Sequence, residues 1–323
     1  MEQNVILVSL FFNRDFPGLA ERVRAAAEGR EVVITGDRAV METLLPRVEI
    51  CMGDVPFDLY FRMPRLKWVQ LWSAGADRLR NYPGLAGLPV IITSTSGIHG
   101  RQITEHLFGL LLAWSRRLPA AFQAQREHRW LKFEDDDISV LAGKTMLILG
   151  YGAIGAVAAG TALGFGMKVI GLRRNPEKGG ALPGVRLESA GALCELLPLA
   201  DYVVNILPAT KDTAGLFGVA EFGLMKKTAL YINVGRGITT NEASLVEALG
   251  TGRIAGALLD VTETEPLRED SPLWDLPNVL LTGHYGGMHP EYARMALDVA
   301  LDNLGRYLRG EPLKNLVDKE AGY

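Results

Sequence analysis

"LILGYGAIG", residues 147–155, sets three glycines into an apolar run. Glycine weakens the interior of a strand or a helix, so three in six positions mark a sharp turn or a close backbone approach. The flanks decide which. "TMLILG" (145–150) reads as a strand, an alanine-rich helix follows over about 153–165, and "KVIGL" (168–172) begins a second strand. Together they make the βαβ unit that a dinucleotide fingerprint requires. In it Gly150 permits the turn, Gly152 admits a pyrophosphate to the backbone, and Gly155 lets helix and strand pack closely. With Ala153 and Ile154 these glycines form a helix N-terminus aimed at phosphate. A ligand-free glycine turn is the bland alternative, and the βαβ context speaks against it.

Working outward, strand-like runs alternate with helical patterns on both sides. Upstream are "VILVSL" (5–10), "EVVIT" (31–35), "LKWVQLW" (66–72) and "VIITSTS" (90–96), with a helix near 17–28. Downstream are "DYVVNIL" (201–207), "ALYINV" (229–234), "IAGALLD" (254–260) and "NVLLTG" (278–283). Such alternation predicts an α/β fold with parallel sheets. A long helix is expected from Gln102 to Leu118, with Ile103, Leu107, Leu110, Leu111 and Trp114 on one side. Asn241 suits a helix N-cap, Gly250 or Gly252 the end of that helix, and 290–309 reads as one amphipathic helix.

The 323 residues suffice for two cores, and the composition (48% hydrophobic, 22% charged) is that of an ordinary soluble globular protein. A formal net charge of -3 gives no electrostatic case for nucleic acid or an acidic membrane surface. The two cysteines, Cys51 and Cys194, form no CxxC pattern and read as free thiols in a reducing compartment. The N-terminal "MEQNVILVSLFF" has acidic Glu2 where a signal peptide needs basic residues, and "LFGLLLAW" (107–114) is too short to span a bilayer. A cytoplasmic protein is expected. HExxH, paired CxxC and GxSxG motifs are absent, so no metal site or serine elbow is predicted.

NAD-binding sheets usually carry an acid at the end of the second strand, for the ribose hydroxyls. Here "VIGLRRN" puts Arg173 at that place and Arg174 beside it. An acid repels a 2′-phosphate, whereas guanidiniums bind one, so NADP is preferred, with NAD as the alternative. Two solvated arginines at a strand end are the competing reading.

Three further strand ends carry chemistry. "NVGRG" (233–237) puts Arg236 just past a strand, "LLDVTETEPL" (258–267) places Asp260 and then Glu265, and "LLTGHYGG" (280–287) places His284 with glycines behind it. Arginine can hold a carboxylate and polarise a carbonyl with its forked donors. Histidine can exchange a proton near neutrality, and a carboxylate at Glu265 would orient the imidazole and favour its charged form. Asp260 is expected near the nicotinamide end of the cofactor. Singly, each has a bland reading as a loop residue; together, behind a nucleotide unit, they suggest hydride transfer to a 2-keto acid. Of the other histidines, His106 reads as helix packing, His99 could face a cleft, and His128 and His289 read as rim residues.

These residues resemble the D-isomer-specific 2-hydroxyacid dehydrogenase family. The resemblance runs from "LKWVQLWSAGAD" (66–77) through "GYGAIG", "LPATKDTAGLF" (207–217), "NVGRG", "ALLDVTETEPL" and "SPLWDLPNVLLTGH" (271–284). It implies two Rossmann-like domains with parallel sheets, the nucleotide domain (99–285) inserted into a substrate domain (1–98 and 286–323). It further implies Arg236, Glu265 and His284 as the catalytic set. Ala74 and Gly75 would bind the substrate carboxylate, together with Arg236 and His284. Leu207 and Pro208 would line the adenine side, and Val234, Gly235 and Arg236 would flank the nicotinamide. Homodimers are usual in that family.

There are departures. Gly283 stands where the family commonly has proline. Glu265, where formate dehydrogenases of the family carry glutamine, argues against formate oxidation. The Arg173–Arg174 pair resembles the subgroup that reduces glyoxylate and hydroxypyruvate with NADPH. Two alternatives stay open: a nucleotide-sensing, corepressor-like binding protein, and a dehydrogenase of a bulkier substrate with Trp72, Trp130, Tyr285 and Met288 as an apolar wall.

Overall fold

The computed structural model describes residues 4–10, 16–178, 180–320 and 322; Glu2 and the Phe11–Phe12 end of the first apolar run lie outside them. The chain forms two compact units, one of residues 1–98 with 289–323, the other of residues 99–288. The first begins with β1 (Val5–Val8), α1 (Leu19–Ala26), β2 (Glu31–Ile34), α2 (Arg38–Leu44) and β3 (Val48–Met52). It continues through α3 (Phe57–Tyr60), β4 (Trp68–Gln70) and β5 (Ile91–Thr93). The second unit opens with α4 (Gly100–Ser115), α5 (Leu118–Arg126), β6 (Thr145–Leu149), α6 (Ala153–Gly164), β7 (Lys168–Arg173) and β8 (Val185–Ser189). There follow α7 (Leu193–Leu196), β9 (Tyr202–Asn205), α8 (Val219–Leu224), β10 (Leu230–Asn233), α9 (Glu242–Gly250), β11 (Gly256–Leu259) and β12 (Val279–Leu281). The last helix, α10 (Tyr292–Leu308), belongs to the first unit.

Both sheets are parallel throughout their described strands. The first has the order β2-β1-β3-β4-β5, the second β12-β11-β10-β9-β6-β7-β8. Strand side chains alternate between two cores. In the first unit Ile6, Val8, Ile50 and Met52 pack with α1 and α10, while Leu7, Val48, Cys51 and Val69 face the opposite cluster with Met41 and Leu59. In the second, Met146, Ile148, Val204 and Ile232 pack against α4 and α6, and Leu147, Leu149, Val203 and Tyr231 against α7, α8 and α9. Helices on both faces bury the strands on both sides, which is why these strands read as nearly continuous apolar runs.

Three local features depart from the sequence reading. Strand β3 is absent from that reading, yet it pairs with both β1 and β4. Its "VEICM" carries a charge, Glu49, which breaks the apolar pattern; the structure buries that carboxylate among specific partners. Strand β8 is also unread: it lies at the sheet edge, where charged residues such as Arg186 and Glu188 are ordinary. The long helix stops at Ser115 rather than Leu118. Pro119 has no N–H to bond back into α4, and Arg117 takes a left-handed φ of 55° before α5 begins. Near the end of the second unit, the Tyr285 and Gly286 N–H groups are bonded to Asp260.

Candidate active site

Strand order in the second sheet reverses between β9 and β6, and ligands of open α/β sheets bind outside the carboxyl ends of the strands at such a point. The glycine turn lies there. Gly150 has φ 97°, and a Cβ on it would stand 3.1 Å from the Ile206 carbonyl at the end of β9. A Cβ on Gly155 would stand 2.6 Å from the Gly150 carbonyl, so the close seating of α6 behind β6 depends on its absence. Gly152 is different: no protein atom lies within 4 Å of where its Cβ would be. It is exposed, as is Ala153, with Ile154 half-buried at the start of the 12-residue α6. The N-terminal N–H groups thus face open space suited to a pyrophosphate.

Arg173 closes β7 half-buried, and Arg174 follows it exposed, 4.0 Å from the Asp212 carboxylate. Leu207 and Pro208 follow β9. The Leu207 N–H donates to Asn205 Oδ1 at 3.0 Å, and the Pro208 carbonyl accepts from Thr213 Oγ1 at 2.6 Å. Val234 and Gly235 are buried beyond β10, and the Gly235 N–H donates to Asn233 Oδ1 at 3.0 Å. Arg236 is half-buried, and its Nη1 donates to the Gly235 carbonyl at 2.8 Å.

Beyond β12, His284 Nδ1 lies 2.6 Å from Glu265 Oε2, and the Thr262 N–H donates to Oε1 of the same carboxylate at 3.2 Å. Paired with a carboxylate, Nδ1 carries the proton, leaving Nε2 as the ring's other working atom. Arg236 and His284 follow strands two places apart in the sheet, about 10 Å by strand spacing.

Asp260 is 4% exposed. Its carboxylate accepts from Thr282 Oγ1 at 2.6 Å, Tyr285 N at 3.2 Å and Gly286 N at 2.9 Å. His106, which the sequence assigns to helix packing, is instead a polar partner here, its Nε2 at 2.9 Å from Thr282 Oγ1 and 3.2 Å from Asp260 Oδ1. His99 lies one residue before α4; burial first and the charge of the Arg236 guanidinium second depress its pKa to about 4. The sequence signal for both histidines was their spacing at the start of the long helix, His99 just before it and His106 within it, with Ile103 between them.

Ala74 and Gly75 belong to the first unit, in the turn after β4. Ser73 Oγ donates to the Gly75 carbonyl at 2.7 Å, and among the described residues no acceptor bonds the N–H of Ala74 or Gly75. Trp72 is 1% exposed in the core, its Nε1 bonded to the Ser9 carbonyl at 3.2 Å, which removes it from any pocket wall. Trp130, by contrast, is 87% exposed, and Tyr285 and Met288 are also exposed. Among the described residues no group of three or more His, Cys, Asp or Glu is placed to hold a metal ion, and no helix is long and apolar enough to cross a membrane.

Comparison with known proteins agrees with this geometry. A family described as the NAD binding domain of D-isomer specific 2-hydroxyacid dehydrogenases matches residues 108–286. The chain is 33% identical over 283 residues to a glyoxylate reductase of Korarchaeum cryptofilum, covering 85% of this chain and 82% of the relative. It is 34% identical over 265 residues to glyoxylate/hydroxypyruvate reductase B of Citrobacter koseri, covering 80% of each. Among solved structures, an NADPH-dependent glyoxylate/hydroxypyruvate reductase of Sinorhizobium meliloti, in complex with NADP and sulfate, superposes with a TM-score of 0.81 at 31% identity over all of both chains. A D-isomer specific 2-hydroxyacid dehydrogenase of Xanthobacter autotrophicus, in complex with NADPH and MES, gives 0.83, again at 31% identity over all of both. With its glycine turn at the switch point and its strand-end Arg, Glu and His, the chain belongs to the D-isomer specific 2-hydroxyacid dehydrogenase family.

Proposed function

We propose that the protein reduces a small 2-keto acid, of the glyoxylate or hydroxypyruvate type, to the D-2-hydroxy acid at the expense of NADPH. The observation that carries the reading is the 2.6 Å contact of His284 Nδ1 with Glu265, which leaves Nε2 to serve a substrate. Gly150, Gly152, Ala153, Ile154 and Gly155 would hold the cofactor's pyrophosphate, and the open space beside Gly152 fits that group. Arg173 and Arg174 would take its 2′-phosphate, Leu207 and Pro208 its adenine side, and Val234, Gly235 and Asp260 the nicotinamide end. When bound, the nicotinamide supplies the hydride that reaches C2 of the substrate.

The chain's own residues do the rest. Arg236 orients the acid and polarises its carbonyl with its forked donors. His284 Nε2 gives a proton to the carbonyl oxygen as negative charge develops there. Glu265 fixes the ring and offsets the charge of its imidazolium form. The relatives named as glyoxylate and hydroxypyruvate reductases, and the neighbours in complex with NADP or NADPH, support the substrate class and the cofactor.

The same reading puts the enzyme in the cytoplasm, in keeping with two free cysteines, and makes it a homodimer, for which exposed Leu118, Phe122 and Trp130 supply apolar surface. Steady-state rates with NADPH and NADH against glyoxylate, hydroxypyruvate and pyruvate test the proposal. Turnover with at least one of the acids is expected. Tight cofactor binding with silence across the set would reject it in favour of a nucleotide sensor.

A further inference from the structure

His99, Ile103 and His106 are spaced four and three residues apart, which places them on one face of a helix. The loop that carries His284 rests on that face. A Cβ on Gly286 would stand 2.9 Å from His106 Cδ2, and one on Gly287 would stand 3.0 Å from His99 Cδ2 and 3.9 Å from Ile103 Cδ1. Side chains on these two consecutive loop residues would press on two imidazole rings, and at Gly286 also on the Asp260 carboxylate, 2.8 Å away. The Tyr285 ring meets His106 edge-on, with centroids 5.1 Å apart.

A proton count fixes the direction of the polar contacts. Thr282 donates its one hydroxyl hydrogen to Asp260 Oδ1 at 2.6 Å, so the hydrogen in the 2.9 Å contact with His106 comes from the ring's Nε2. Asp260, held from one side by His106 and Thr282, holds the N–H groups of Tyr285 and Gly286 on the other. Its own carbonyl accepts the His284 N–H at 2.8 Å. Between these anchors His284 has φ 54°, a left-handed conformation that a side-chain-bearing residue keeps only where its surroundings impose it. His99, just before the helix, feels the charge of the Arg236 guanidinium.

We propose that the histidine face of α4 is the positioning element for His284, with His106 setting the imidazole's place through Thr282 and Asp260. The proposal rests on His284 being the proton donor; His106 itself touches the loop and not the substrate. It assigns Asp260 a second duty, as the clasp between helix and loop.

The test compares wild type, His106→Leu and His106→Gln in three measurements: steady-state kinetics, NADPH binding, and hydrogen exchange of the 282–288 amides. In His106→Leu, kcat should fall about 10- to 100-fold, the scale of a misplaced catalytic group. KM for the keto acid and the Kd of NADPH should change by less than kcat, since His106 acts on both only through Asp260 and the loop. The Tyr285 and Gly286 amides should exchange at least about tenfold faster. His106→Gln, which keeps an N–H donor, should recover most of the lost kcat. Unchanged exchange together with a kcat within about threefold of wild type would overturn the proposal. A wild type without turnover, whose amides nonetheless loosen in His106→Leu, would remove the reaction while sustaining the placement of His284 by α4. If His106→Leu does not fold, Gly286→Ala presses on the same contact from the loop side and is judged by the same two outcomes.

Discussion

Each parallel sheet gathers charge at one edge, and the edges are opposite. In the first unit the cluster sits before the strands: Glu49, at the start of β3, accepts from Asn4 Nδ2 at 2.6 Å and Tyr307 Oη at 2.9 Å, with Arg30 at 3.1 Å and Lys67 at 3.3 Å. Its side chain is 7% exposed. In the second unit the cluster sits beyond the strands: Arg236 after β10, Asp260 and Glu265 after β11, His284 after β12. There the His284 and Glu265 side chains keep 47% and 36% exposure. The amino edge of a parallel sheet is closed off by saturating its charge, whereas the carboxyl edge leaves groups in reach of a ligand. Burial would raise the Glu49 pKa, but bonds from Tyr307 and Asn4 and the charge of Lys67 outweigh it and hold the carboxyl below its ordinary range.

The contrast predicts that one cluster governs chemistry and the other stability. The largest effect is expected from His284→Ala: kcat should drop at least about 10³-fold, the upper range for a general acid, with NADPH binding and melting temperature little changed. Near-native turnover would dissolve the distinction. Glu49→Ala strikes the opposite edge. Stripping a buried acid from its partners should cost about 2–3 kcal/mol in denaturant unfolding and leave the KM for the keto acid alone. A loss of activity in the folded variant would show that the amino edge is not merely structural.

A pH-dependent effect belongs to His99. Its pKa is about 4 in the folded chain against an ordinary 6.5, so the unfolded chain binds the extra proton first. Its contribution to stability is complete above pH 6.5 and is lost as the pH falls toward 4, on the order of 3 kcal/mol. His99→Asn should flatten that part of the stability–pH curve; an unchanged slope would place the titration elsewhere. The smallest effect concerns the adenine end. Arg173→Asp should shift the ratio of specificity constants from NADPH toward NADH by about tenfold, the scale of one exposed phosphate contact. A constant ratio would take Arg173 out of phosphate recognition.

Much of the second unit was legible from spacing. The glycine turn, the helix cap at Asn241, confirmed by its 2.8 Å bond from Ser244 N, and the strand ends at Arg236, Asp260 and His284 all follow from local periodicity and turn chemistry. Strand β3 was not legible, because Glu49 breaks a pattern whose compensation comes from residues as distant as Tyr307, 258 positions away. Trp72 looked available for a pocket until Ser9, 63 residues earlier, claimed its indole nitrogen.

The sequence by itself determined most of the elements and their order, β3 and β8 apart, and with them the edge of the sheet at which each chemical group emerges. A helix or strand end depends on a few neighbouring residues, and the right order of parallel strands then carries those ends to one side. Only the tertiary structure decided the longer pairing, His106 with Thr282 across 176 residues; Glu265 with His284, across 19, was already expected from the strand ends. The longer contact arises from the packing of α4 and the sheet loops, which no local pattern encodes.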